Sequence, residues 1–124
     1  MAYIDGFVAP VLPGRKDDYR AMSTDASKVF LDHGALQVVE TFENDVPEGK
    51  MTDLWRAVQA DRGAGEGLAF SWILWPSKEA RDAGWEKVMA DERMKTPPAN
   101  PAFDHKRMIF GGFEVLLDTN ESAG

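Results

Sequence analysis

The sequence predicts a single antiparallel α+β domain, and three observations predict it. Four apolar runs rich in β-branched and aromatic residues have the length of strands. Two stretches between them carry apolar residues at steps of three and four, the spacing of a helix with one buried face. The order is strand, helix, strand, a short element, then strand, helix, strand. That is the ferredoxin-like split βαβ pattern: a four-stranded antiparallel sheet, with room for an extra edge strand, and two helices on one face. The 124 residues fit one domain, residues 1–118, followed by a polar tail, 119–124, expected to fray.

Each element has its own signal. Tyr3 to Val11 is β-rich and stops at Pro13–Gly14. In Arg15 to His33, Tyr19, Met22, Ala26, Val29 and Phe30 mark one helix face. Asp17 and Asp18 suit its first turn, where the helix dipole favours anions, and Gly34 suits its end. Ala35 to Glu43 reads as a strand, and Pro47 and Gly49 punctuate the turn after it. Met51 to Ala60 fits a short helix through Leu54, Ala57 and Val58, or an edge strand through Leu54, Arg56 and Val58; the edge strand is the reading adopted. Gly63, Gly65 and Gly67 form a loop with no strand-to-helix context for a nucleotide. Leu68 to Trp75 is a strongly apolar strand ended by Pro76. Ser77 caps a helix running to about Asp91, with Ala80, Gly84, Trp85, Val88 and Met89 on one side. Three prolines between Thr96 and Pro101 exclude regular structure there, and Arg107 to Leu117 is the last strand.

The strands are apolar on both faces. Ile4, Gly6 and Val8 alternate with Tyr3, Asp5 and Phe7, and Ile109, Phe113 and Val115 with Met108, Phe110, Glu114 and Leu116. Two helices cover one face only, so a second copy of the chain is the expected cover for the other, through Phe7, Phe110 and Leu116.

Composition excludes several classes. A net charge of −7 with no segregated basic stripe argues against nucleic acid as a partner. No apolar run reaches the ~20 residues that cross a bilayer, and no membrane partner is expected. There are no cysteines, hence no disulfide, thiolate or Cys-type zinc chemistry, which suits the cytoplasm. Two distant histidines make a poor metal signal, so no metal and no cofactor are expected.

The runs Tyr3-Ile4-Asp5-Gly6-Phe7-Val8, His33-Gly34-Ala35-Leu36, Asp45-Val46-Pro47, Phe70-Ser71-Trp72-Ile73, Lys87-Val88-Met89 and Lys106-Arg107-Met108-Ile109-Phe110-Gly111-Gly112-Phe113-Glu114 span almost the whole chain. Together they resemble the YbaA-like family, a bacterial domain of unknown function. That family is grouped with the dimeric α/β barrels, which include cofactor-free monooxygenases, haem-degrading enzymes and small stress-response proteins. The resemblance implies a dimeric α/β barrel and implies no reaction, because one fold hosts many chemistries.

Asp5 and Glu114 stand out as carboxylates on apolar strands. If Tyr3 lies near Leu116, Asp5 falls near Glu114, and both face the barrel interior while the Ile4-Gly6-Val8 face meets the helices. Two readings follow: a ligand-binding or proton-sharing pair, or a structural salt bridge to Arg56, Lys106 or Arg107. Glu40 is a third candidate whose face the pattern leaves unassigned. His33 sits at a helix C-terminus, where the dipole favours a cation. His105 is either a general base oriented by Asp104 or a surface histidine. Trp72 and Trp75 either wall a pocket or pack the core, and Trp85 reads as helix core. Gly111–Gly112 reads as a bulge or a close approach by a ligand or helix. The candidate pocket residues are thus Asp5, Glu114, Glu40, Trp72, Arg107 and His105. Two functional classes stay open: a protein that binds or transforms a small organic molecule, and a non-catalytic structural or regulatory dimer.

Overall fold

The computed structural model describes residues 1–96, 98 and 100–120. The expected tail therefore lies partly outside the described residues, as do Pro97 and Ala99 of the proline-rich segment. The elements are β1 (Tyr3–Val11), α1 (Lys16–Asp32), β2 (Gln37–Phe42), α2 (Leu54–Ala57), β3 (Gly67–Trp75), α3 (Lys78–Ala90) and β4 (Ile109–Glu114). The sheet order is β2-β3-β1-β4, with every pairing antiparallel. This is the ferredoxin-like arrangement expected from the pattern.

The helix ends follow local chemistry. Asp17 and Asp18 occupy the first turn of α1. At its other end Gly34 takes φ +109°, and the Ala35 and Gly34 N–H groups donate back to the Phe30 and Leu31 carbonyls. That geometry needs a residue without a Cβ penalty. Ser77 caps α3 by accepting the Ala80 N–H at 3.0 Å.

Within Met51 to Ala60, Leu54–Ala57 form a short helix, and there is no edge strand. Asp53 accepts the Arg56 N–H at 2.7 Å, and the Ala60 N–H donates to the Trp55 carbonyl at 2.9 Å, closing the turn with Gln59 at φ 54°. Helical spacing puts Trp55 and Val58 on one side, where both bury against Val8 and Leu68. An edge strand would leave Trp55 and Val58 on opposite faces, and that lost burial decides the matter.

The two sheet faces are the reverse of the expected assignment. The face carrying Tyr3, Asp5 and Phe7 packs under α1 and α3, together with Ile73, Trp75 and Val38. The Ile4-Gly6-Val8 face is turned away from those helices. Its middle is Gly6 beside Gly111, which offers a helix little to pack on, whereas Trp75, fully buried, fills the space under α3. Gly84 lets α3 approach that closely: a Cβ there would stand 2.6 Å from Trp75 Cη2. The expected association face is corrected accordingly. Phe7 is half-buried against Trp85 and Phe110 stacks on Phe7, both on the helix side, while Leu116 lies beyond β4. The open face instead presents Phe70, Trp72, Ile109 and Phe113, with only its Val8–Leu68 end covered by α2. No helix among the described residues is long and apolar enough to cross a membrane.

Candidate functional site

Asp5 lies in the centre of the helix-covered face with 3% of its surface exposed. Its Oδ2 accepts the indole N–H of Trp75 at 2.9 Å and of Trp85 at 2.8 Å. Arg81 reaches Oδ1 through Nε at 3.0 Å and through a second guanidinium nitrogen at 2.8 Å. A carboxylate with that many donors is satisfied and has no free edge for a ligand. The ion pair holds the Arg81 guanidinium well above its ordinary pKa. Arg81 also lies over the Tyr3 ring, 5.3 Å from its centroid.

The expected Asp5–Glu114 pair does not form. The two residues share a face, but the register places Glu114 opposite Tyr3 and Gly112 opposite Asp5, two residues from the expected alignment. Tyr3 occupies the space between: a Cβ on Gly112 would meet Tyr3 Cε2 at 2.8 Å. The group that approaches Gly112 is the Tyr3 side chain of the neighbouring strand, in place of the expected ligand or helix. Glu114 is exposed at the end of the edge strand. The partner of Asp5 is Arg81, not Arg56, Lys106 or Arg107. Arg81 and Trp85 stand one helical turn apart, and that spacing was the signal in the sequence that α3 supplies the donors.

Arg107 is equally committed. It donates to both Glu66 oxygens at 2.7 Å, to Asp104 at 2.7 Å and to the Gln59 carbonyl at 2.8 Å. Arg107 holds the Glu66 carboxyl below its usual range. Asp104 is therefore taken, and it does not orient His105; that exposed imidazole lies against Phe103, tilted by 46° with centroids 4.2 Å apart. His33 joins α1 to the end of α3 through Asp91 at 2.8 Å. Trp72 stands on the open sheet face, edge-on to Phe70.

Glu40 is the candidate with chemistry to spare. It points under α1, where the Tyr19 hydroxyl donates to Oε1 at 2.5 Å in a half-buried bond. Ser71, opposite Glu40 on β3, and Ser23 of α1 are both buried beside them. Burial raises the Glu40 pKa, opposed by the hydrogen bonds from Tyr19 and Ser71. The Tyr19 phenol is pushed far above its ordinary value by burial and by the Glu40 charge. The pair opens into a groove of about 460 Å³ between α1 and β2, lined also by Lys16, Arg20, Val38 and Phe42. Tyr19 read in the sequence only as part of an apolar helix face. What marked it was a hydroxyl on that face with a glutamate inside the next strand.

Among the described residues no group of His, Asp or Glu has the proximity to hold a metal ion. Residues 2–105 match the model of a protein family described as "Protein of unknown function (DUF1428)". The chain belongs to the DUF1428 family. It is 49% identical over 118 residues to the uncharacterized protein YbaA of Escherichia coli K12, covering 95% of this chain and 99% of that one. The YbaA protein of Shigella flexneri matches to the same extent. Among solved structures, the chain superposes along its full length on a Bacillus cereus protein described as a "putative antibiotic biosynthesis monooxygenase". The TM-score is 0.56 with 11% identity, and 100% of each chain is covered. That likeness establishes the fold of this DUF1428 member, and it leaves the reaction to be argued from the residues.

Proposed function

We propose that this DUF1428 chain works as a homodimer, two half-barrels closed sheet to sheet, and that each protomer binds a small organic molecule. The observation that carries the reading is the open face of the sheet. Phe113 is 58% exposed and Phe70 47%, with Ile109 beside them, in a row that a solvated antiparallel face would fill with polar residues. A second copy meeting this face by two-fold symmetry covers it, and a stable pair needs roughly 1,000 Å² or more of total buried area. The small-molecule part is supported by Glu40 and Tyr19, a titratable pair at the edge of a groove. Among the described residues the open face of the sheet holds no carboxylate, which supports a ligand site on the helix side of each protomer. The cytoplasm is the proposed compartment, which a chain without cysteine suits. A surface carrying −7 is not proposed to bind nucleic acid.

Light scattering at micromolar concentration tests the assembly: the expected mass is twice that of the chain, and Phe113→Glu gives a folded monomer. A wild-type monomer refutes it. A thermal-shift screen against small metabolites tests binding, because a ligand of the native state raises its stability. One observation favours the alternative of a purely structural or regulatory dimer: Asp5 and Arg107 are both fully paired. Under that alternative no metabolite shifts the melting temperature.

A further inference from the structure

We infer that the groove between α1 and β2 binds a small hydroxylated organic acid, with its carboxylate held by Lys16 and Arg20 and its hydroxyl by Glu40. The inference rests on the small-molecule reading above but not on dimerisation. Its first support is an unmatched charge. The chain has seven arginines, and six of them are in ion pairs: Arg15, Arg56, Arg62, Arg81, Arg93 and Arg107. Among the described residues, Arg20 has no carboxylate partner. In a protein of net charge −7 a free guanidinium is the exception, and this one lies on the groove rim. Lys16, one turn earlier on α1, is also without a carboxylate among the described residues. Its ammonium lies 4.9 Å from the Phe42 centroid, over the aromatic wall of the same groove.

The second support lies on the β2 side of the groove. Tyr19 and Ser71 both donate to Glu40, and a carboxylate has about four lone-pair sites, so Glu40 keeps capacity to accept from a ligand hydroxyl. Phe42 and Val38 supply the flat apolar surface between the two polar ends. Asp17 also lines the rim, and its charge disfavours a second carboxylate on the ligand. The class is therefore a monoacid with a hydroxyl at the far end of an apolar body. The larger groove under α2, about 700 Å³, makes an instructive contrast: its cations Arg56 and Arg62 are already joined to Asp53 and Glu48.

The test is an NMR titration of the full chain with 4-hydroxybenzoate, benzoate and 4-hydroxybenzamide. The expected result is saturable shifts on α1 and β2 with 4-hydroxybenzoate, and about tenfold or more weaker binding of the other two. Arg20→Met, at an exposed position, weakens binding of both acids. Glu40→Gln removes the preference for 4-hydroxybenzoate over benzoate. The inference is overturned if none of the three saturates below about 10 mM, a Kd too weak to mark a built site. It is equally overturned if Arg20→Met binds as the wild type does. Shifts confined to another region would overturn this site while leaving the small-molecule reading in place.

Discussion

Replacing Asp5 with Asn tests the structure at its most connected point. The side chain keeps its shape but exchanges one acceptor oxygen for an N–H₂ donor. Whichever way the amide turns, donors face donors: either the two indoles at 2.9 and 2.8 Å, or the Arg81 contacts at 3.0 and 2.8 Å. A buried donor left unmatched costs about 1–3 kcal/mol. Trp85 and Arg81 are partly exposed, so water recovers some of that loss, and about 3 kcal/mol is the expected total. For 124 residues, with an unfolding entropy of roughly 2.1 cal/mol/K per residue, the melting temperature should fall by about 11 °C. Calorimetry or urea unfolding at fixed protein concentration measures it. In an Arg81→Met background the same substitution should cost less, with a coupling of roughly 1–2 kcal/mol, because part of the conflict is already gone. A cost below about 1 kcal/mol, or simple additivity with Arg81→Met, would refute the account of Asp5 as the knot between β1, β3 and α3.

Gly84→Ala should destabilise by about 1–3 kcal/mol in thermal unfolding, despite the ~1 kcal/mol that alanine gains in an exposed helix, because the new methyl meets the Trp75 ring and the His33 carbonyl. Ser77→Ala should cost about 1 kcal/mol through the lost cap of α3, measured the same way. Glu40 has a raised pKa in the fold, so its contribution is most favourable at low pH and is lost as pH rises from about 4.5 through the folded value. Urea unfolding from pH 4 to 8 should show that slope in the wild type and a weaker one in Glu40→Gln. Glu66 has the opposite sign: its pKa is depressed, so the stability it brings is present above about 4.5 and lost as pH falls through the folded value. Glu66→Gln should flatten that acid limb.

The sequence by itself determined the order of the four strands and two long helices, and where α1 and α3 begin and end. Those features rest on local signals: apolar spacing in α1 and α3, Ser77 and Gly34 at helix ends, and Pro76 after β3. It also put Glu40 among the candidate residues, and it showed that both faces of the sheet are apolar. Tertiary structure decided which face the helices cover. Alternation fixes that Tyr3, Asp5 and Phe7 share a side, but both sides were apolar, so only volume could choose between them, and Trp75 under Gly84 made the choice. It likewise set the partners of Asp5. Trp75, Arg81 and Trp85 lie 70, 76 and 80 residues away, and the spacing of Arg81 and Trp85 marks them as neighbours on α3 without saying which strand residue they face. The same holds for Met51 to Ala60, where local pattern fitted helix and strand equally and burial of Trp55 and Val58 against Val8 and Leu68 broke the tie. Periodicity reports which residues are neighbours on one element, whereas the choice of what each element faces is made by packing across elements, and there the energy of long-range burial is spent.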